Sequence, residues 1–76
     1  MVQFEVIRCE EIKFGNNNFL EVSRKKAITE RGENEFISLS RGFFMPDGTK
    51  RYKNNFAVPI DEKVVDFIAE KIKEML

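Results

Sequence analysis

Apolar and polar residues alternate along most of the chain, with the period of two that is typical of strands in a sheet with one buried face. The alternation predicts a first strand over Val2–Phe14, with a bend near Cys9–Glu11, and a second strand over Phe19–Ile28. It predicts a third strand over Phe36–Met45 and a fourth over Lys50–Ile60. We therefore expect four consecutive strands.

Turn-forming residues separate these strands. Gly15–Asn18 and Pro46–Gly48 combine residues that tolerate positive φ with a proline that presets φ, so both predict tight turns. Glu30–Glu35 predicts a charged loop around a glycine. Gly42, inside the third strand, predicts a bulge or a sharp bend, and Pro59 predicts an edge strand or a strand end. The short connections favour an antiparallel sheet.

The period changes to that of a helix after Asp61, which suits the N-cap, and the acidic Glu62 suits the first turn. The helix should run for about 15 residues. Its apolar stripe consists of Val64, Val65, Ile68, Ala69, Ile72, Met75 and Leu76, with Phe67 at its edge. The stripe should pack on one face of the sheet. It is broad for so small a domain, which predicts a homodimer joined through this C-terminal helix.

The alternation also assigns side chains to the two sheet faces. The apolar positions are Leu20, Val22, Ile37, Leu39, Phe56 and Val58. The opposite face of the second and third strands should carry Glu21, Ser23, Lys25, Ser38, Ser40 and Phe44, provided that Gly42 keeps the register. An aromatic ring among serines and cations predicts either an exposed stacking platform or part of a protein interface. Phe44 is therefore a candidate functional residue.

Composition limits the function. The 76 residues form one domain, 1–76, with a formal net charge of zero, a single cysteine and no histidine. The lone Cys9 excludes an internal disulfide, and the lack of histidine removes the commonest general base and metal ligand. We expect no catalytic residue, no metal and no cofactor. Without a signal sequence or an apolar run of roughly 20 residues, we expect a cytoplasmic protein outside the membrane.

Basic residues are clustered although the net charge is zero. One cluster is Arg24–Lys26, and the other is Lys50–Lys53, which includes Arg51 and Tyr52. A hairpin around Pro46–Gly48 would place the second cluster beside Phe43–Phe44. Cations next to ring faces can hold the phosphates and the bases of a single nucleic-acid strand. The arrangement predicts a binding surface rather than a catalytic pocket.

This layout resembles the single-stranded nucleic-acid-binding family of the transcriptional coactivator positive cofactor four, which includes short bacterial and archaeal relatives and, more distantly, the plant Whirly proteins. The closest local match is ISLSRGFFMPDG, a strand with an arginine, paired aromatics and a Pro/Asp/Gly turn. A basic strand, a short apolar strand end and a helix beginning at Asp61 follow. The resemblance covers roughly Phe19 to Met75. It implies an α+β fold with a strongly curved four-stranded sheet and a helix-mediated dimer.

The resemblance also implies roles for individual residues. Arg41 stands where the family has a phosphate-contacting arginine, and Phe44 stands where it has a base-stacking aromatic. Arg24 and Lys25 fall near basic and aromatic positions of the preceding strand. The fourth strand departs from the family pattern, because Lys53–Phe56 replaces a Gly-Arg/Lys-Lys-Gly run. The cations of the fourth strand lie earlier in the chain, at Lys50, Arg51 and Lys53.

The sequence therefore predicts a homodimer that binds single-stranded DNA, or RNA, with little sequence preference, and the resemblance implies a role in transcription. The candidate contacts are Arg24, Lys25, Arg41, Phe44, Lys50, Arg51, Tyr52 and Lys53. The alternative is a protein–protein interaction module that uses the same fold, with Phe43–Phe44 as its interface.

Overall fold

The computed structural model describes all residues from Met1 to Leu76 and has four strands followed by one helix. The elements are β1 (Gln3–Phe14), β2 (Asn18–Thr29), β3 (Gly32–Phe44), β4 (Lys50–Pro59) and α1 (Glu62–Glu74). The strands form one antiparallel sheet in the order β1-β2-β3-β4, so the predicted α+β architecture is confirmed. Its helix has neither the length nor the apolarity that a membrane crossing requires.

The β2–β3 hairpin is longer than the alternation indicates. Residues 33–35, predicted as part of a charged loop, pair with β2 instead, and the turn that remains is Glu30–Arg31. Diagonal cross-strand ion pairs explain the difference, since opposite charges on neighbouring strands stabilise an antiparallel pair. Arg24 Nε lies 2.9 Å from a Glu35 carboxylate oxygen, and Lys26 Nζ lies 3.5 Å from Glu33. The loop prediction was wrong because these pairings join residues on different strands.

Two irregularities interrupt the strand pairing. In β1 the register shifts between Val6 and Arg8, which is earlier than the bend predicted near Cys9–Glu11. In the β3–β4 pair it shifts between Arg41 and Gly42, where Lys53 is the extra residue of β4. Gly42 itself stays in register with β2, so β3 keeps its alternation. The predicted sharing of one face by Ser38, Ser40 and Phe44 follows from this continuity.

The helix packs on the apolar face of the sheet, which we call the helix face. Asp61 caps α1 as predicted, because its carboxylate accepts a hydrogen bond from the Lys63 backbone N–H at 2.9 Å. An apolar groove of about 320 Å³ lies between helix and sheet. Its walls are Leu20, Val22, Ile37, Leu39 and Val58 from the strands and Val65, Ile68, Ala69 and Ile72 from α1.

The groove is incompletely closed. Val58 is buried, but Leu20 and Val22 keep 36% and 44% of their surface exposed. No residue of α1 is buried, and both Phe67 and Ile72 are 61% exposed. A single chain therefore leaves much of the apolar stripe of its helix in contact with water.

The other side of the sheet, which we call the open face, contains most of the buried residues. All seven buried residues except Val58 lie there, and no other element packs over them. Ser23, Ser38 and Ser40 are each less than 5% exposed. Small side chains can be this buried on an uncovered face only where the sheet is concave and longer neighbours surround them. No fully buried side-chain polar atom lacks a hydrogen-bond partner, and the Ser38 hydroxyl donates to the Asn55 side-chain oxygen at 3.0 Å.

Candidate nucleic-acid interface

The β3–β4 hairpin brings the paired aromatics and the basic run together, as the sequence predicted. Phe43 is the cross-strand partner of Arg51, and Phe44 is the partner of Lys50. Gly42 is opposite Tyr52. Because partners in an antiparallel pair point to the same side, adjacent residues of this hairpin alternate between the two faces.

The candidate contacts therefore do not form one surface. The strand alternation, with the ring contact of Lys53 described below, places Arg24, Arg41, Arg51 and Lys53 on the helix face. It places Lys25, Phe44, Lys50 and Tyr52 on the open face. The expectation of a single basic, aromatic sheet face was wrong in this respect. A β-bulge at Lys53 and the alternation of β4 decide which cation points where.

On the helix face, cations and aromatic rings form a cluster at the end of the sheet that carries the β1–β2 and β3–β4 turns. Phe14, Asn18, Phe43 and Arg51 stand in one row across the four strands. The Arg41 guanidinium carbon lies 5.5 Å from the centre of the Phe14 ring, and Lys53 Nζ lies 5.9 Å from that of Phe43. We call Phe14, Arg41, Phe43, Arg51 and Lys53 the hairpin-end cluster.

The cations of this cluster are free. Arg41, Arg51 and Lys53 are exposed, and none forms a salt bridge. Arg24 lies on the same face, but Glu35 neutralises it. A cation above an exposed ring gains only about 0.5–1 kcal/mol from the contact. Such contacts therefore orient the side chains, while their positive charges remain available to a ligand. The cluster is a local positive patch on a protein with zero net charge.

On the open face, by contrast, the central cation is Lys50, and carboxylates compensate its charge. Glu11 and Glu21 are directly opposite each other on β1 and β2, and Lys50 forms salt bridges with both. The distance from Lys50 Nζ to the Glu21 carboxylate is 2.7 Å, and the Tyr52 hydroxyl donates to the same carboxylate at 2.8 Å. Without Lys50, two carboxylates would repel each other across adjacent strands.

The ionisation of this network follows from its hydrogen bonds. Burial raises the pKa of Glu21, but the hydrogen bonds from Lys50 and Tyr52 outweigh burial and hold that pKa below its ordinary value of 4.5. The hydrogen bonds with Glu11 and Glu21 raise the pKa of Lys50. Hydrogen bonding to Glu21 also raises the pKa of Tyr52. Lys50 is thus a structural cation already shared by two carboxylates, and little of its charge is left for a phosphate.

Phe44 lies beside the network and is half-buried. Its ring packs against Phe19 with centroids 5.3 Å apart, and the Lys13 ammonium lies 5.0 Å from the ring centre. Phe19 also packs edge-on against Tyr52 at 5.2 Å. Gly42 leaves room for this aromatic group, since a Cβ there would lie 2.8 Å from the Phe19 ring and 2.1 Å from the Arg51 carbonyl oxygen.

The predicted nucleic-acid contacts did not include three members of this region, namely Lys13, Phe14 and Phe43, although Phe43 was named with Phe44 as the interface of the alternative function. Phe14 and Lys13 end the first strand, far along the chain from the β3–β4 hairpin, and only the strand pairing brings them beside it. Phe43 was noted as a neighbour of Phe44, and its alternation with Arg41 was the available signal. Lys25, which was predicted as a contact, lies away from the β1–β2 and β3–β4 turns. It is the cross-strand partner of Phe36 and forms no salt bridge.

No group of three or more aspartate, glutamate or cysteine side chains is arranged to hold a metal ion. Searches against protein-family models, curated proteins and solved structures found no match. The resemblance to the positive cofactor four family therefore stays a prediction, and the geometry of the side chains supplies the argument for function.

Proposed function

We propose that this protein binds single-stranded DNA or RNA with little sequence preference, and that the hairpin-end cluster is the main contact surface. The observation that carries the proposal is the interleaving of three cations without salt bridges, Arg41, Arg51 and Lys53, with the rings of Phe14 and Phe43. No carboxylate of the chain compensates the charge of these cations.

The chemistry of the cluster suits a flexible single strand. Cations that contact phosphates release counterions, so affinity should fall with salt by a logarithmic slope of roughly −0.7 for each phosphate contact. Aromatic side chains stack on bases of any sequence, at about 1–3 kcal/mol for each base. Phe14, which is 39% exposed, offers the more accessible ring, while Phe43 is half-buried.

The binding form that we propose is a homodimer. The groove beside α1 is lined only by apolar side chains and remains open in one subunit. The exposed apolar side chains of Phe67 and Ile72 lie on the helix itself. A second copy that covered them would also double the number of hairpin-end clusters, and linked sites bind a long strand more tightly than single sites.

The alternative, a protein-interaction module anchored by Phe43–Phe44, has less support. Each ring has an uncompensated cation of the same chain at its face, Lys13 at Phe44 and Lys53 at Phe43. A protein partner that buried the rings would also have to desolvate these cations, whereas a nucleic-acid strand would meet them with phosphates. More exposed apolar side chains lie elsewhere, for example Phe4 on β1, Phe56 on β4 and Phe67 on the helix.

The test is fluorescence anisotropy with a labelled oligonucleotide of about 20 nucleotides, a length several times the smallest site of a single-strand-binding domain. Single-stranded DNA, the same sequence as RNA and the DNA duplex are titrated with protein at low and moderate salt. Salt-dependent binding that prefers single strands would support the proposal. If none of the three oligonucleotides binds at low salt, the proposal is wrong. The next experiment is then a pull-down for protein partners that bind the Phe43–Phe44 surface.

A further inference from the structure

A cleft of about 570 Å³ opens between the β1–β2 and β3–β4 turns. Its lining includes Lys13, Phe14, Asn17, Asn18, Phe44 and Met45. The two turns are tied together, because the Phe44 backbone N–H donates a 2.7 Å hydrogen bond to the Asn17 carbonyl oxygen. The volume of the cleft is within the range of roughly 300–1,000 Å³ that is typical of small-molecule sites.

The walls of the cleft combine the groups that recognise a nucleotide. The ammonium of Lys13 lies 5.0 Å from the Phe44 ring centre and forms no salt bridge. Phe14 stands on the side of the helix face, with Arg41 over its ring. Rings can stack on a base, and an ammonium without a carboxylate partner can hold the adjoining phosphate.

Amide groups add hydrogen-bonding capacity to the same walls. Asn18 donates through Nδ2 to the Asn16 carbonyl oxygen at 3.2 Å, and its side-chain oxygen accepts no hydrogen bond from the chain. The Asn17 side chain forms no hydrogen bond within the chain, and its backbone has φ of 62°. Such amides can pair with the edge of a base.

The cleft also connects the two faces of the sheet. Phe14 belongs to the hairpin-end cluster, whereas Lys13 and Phe44 belong to the open face. On the open face Lys50 is held by Glu11 and Glu21, whereas Lys13, beside Phe44, has no carboxylate partner and is available to a strand that continues past the turns.

We propose that this cleft holds one nucleotide of the bound single strand, as the strand passes from the hairpin-end cluster around the end of the sheet to the open face. The base lies against Phe14 or Phe44 and meets the amides of Asn17 and Asn18, and Lys13 holds its phosphate. This inference rests on the proposed single-strand binding, and it adds a defined nucleotide site that the cluster alone does not provide.

The first test compares two variants with the same change of charge. Lys13→Ala removes the cleft cation, and Lys73→Ala removes a helix cation that also forms no salt bridge. In anisotropy titrations with single-stranded DNA, Lys13→Ala should weaken binding several-fold and make the logarithmic salt slope smaller by about 0.7, the value for one phosphate contact. Lys73→Ala should match the wild type, and circular dichroism establishes that both variants are folded.

The second test needs no variant. Single strands that carry 5-iodouracil are cross-linked by light to the wild-type protein, and the modified peptide is identified by mass spectrometry. Adducts on Phe14, Phe44 or Met45 would support the cleft site. If wild-type protein binds and Arg51→Ala weakens binding, but Lys13→Ala behaves like Lys73→Ala and adducts avoid these residues, the cleft proposal is wrong and the proposed function stands. If the wild-type protein binds no single strand, both are wrong.

Discussion

The ammonium of Lys50 lies 2.7 Å from the carboxylate of Glu21, a residue that is 7% exposed and directly opposite Glu11 on the neighbouring strand. This contact turns the first basic residue after the β3–β4 turn into part of the framework of the open face. It also explains why two residues that are adjacent in the chain differ in their availability to a ligand. The charge of Lys50 is compensated by carboxylates, while Arg51 points to the helix face without a carboxylate partner.

Lys50→Met should therefore destabilise the fold while leaving nucleic-acid binding intact. Removing the ammonium leaves Glu21 buried beside Glu11, and a partly exposed network of this kind should lose about 1–3 kcal/mol of the free energy of unfolding, less than the 3–5 kcal/mol of a fully buried pair. Urea denaturation of this variant measures the loss, with Lys25→Met, a cation without a salt bridge, as the control. An unchanged unfolding midpoint with a weakened affinity for single strands would contradict the structural role of Lys50.

The acid dependence of stability should shift when Glu21 is replaced by glutamine. The pKa of Glu21 is lower in the folded protein than its ordinary 4.5, so its charged form contributes stability above that pH, and the contribution is lost as the pH falls. The Glu21→Gln variant should thus be less stable than the wild type at neutral pH. Its free energy of unfolding should also fall less steeply as the pH is lowered below about 4.5. Thermal unfolding followed at a series of pH values tests this, and parallel curves for variant and wild type would show that Glu21 is not the group responsible.

Gly42→Ala should disrupt the sheet although glycine is not needed there for its backbone angles. An added Cβ would lie 2.1 Å from the Arg51 carbonyl oxygen and 2.8 Å from the Phe19 ring, so β4 would have to move. Overpacking of this kind costs about 1–3 kcal/mol, and more where backbone must shift. Chemical denaturation compared with Asn54→Ala, a change at an exposed β4 residue, measures the cost. Equal stability of the two variants would contradict the close approach of Gly42 to β4.

Arg51→Ala and Arg24→Ala should differ in binding although both remove an arginine from the helix face. Arg51 is free and stands beside Phe43, while Arg24 is held by Glu35 at 2.9 Å. We expect Arg51→Ala to lower the affinity for single-stranded DNA several-fold and to reduce the salt slope by about 0.7. Arg24→Ala should change binding little.

The same titrations can separate charge from stacking. Phe43→Ala should lower affinity by the equivalent of about 1–3 kcal/mol if its ring stacks on a base, and leave the salt slope unchanged. If Arg51→Ala, Arg41→Ala and Phe43→Ala all bind like the wild type, the hairpin-end cluster is not the binding surface. An effect confined to Phe44→Ala would move the site to the open face.

Ile72→Glu should prevent the proposed self-association. Ile72 lines the apolar groove and is 61% exposed in the single chain, so a carboxylate there would be unpaired inside the proposed helix-mediated dimer. Light scattering should give twice the mass of one chain for the wild type and for the control Lys73→Glu, and the mass of one chain for Ile72→Glu. A wild-type protein that is a monomer at micromolar concentration would rule out the dimer.

The amino-acid sequence by itself determined the element order of this protein. Three signals are local: the period-two alternation, the Gly/Asn and Pro-Asp-Gly turns, and the Asp61 N-cap before a helical stripe. Each of them acts on the backbone conformation within a few residues. The same signals assigned Leu20 and Val22 to the face that receives the helix. They were also enough to place Phe43–Phe44 beside the basic run, since a tight turn fixes its own hairpin.

The composition of the candidate site was decided by the tertiary structure. Whether a lysine is free depends on carboxylates from other strands, and the sequence spacing of Lys50 and Glu21 gives no sign that they meet. The extra residue in β4 and the end of β1 put Lys53 and Phe14 into one cluster through pairings that span the sheet. Which cations remain available to a ligand is therefore a property of long-range strand register, because register alone sets the distances between charges.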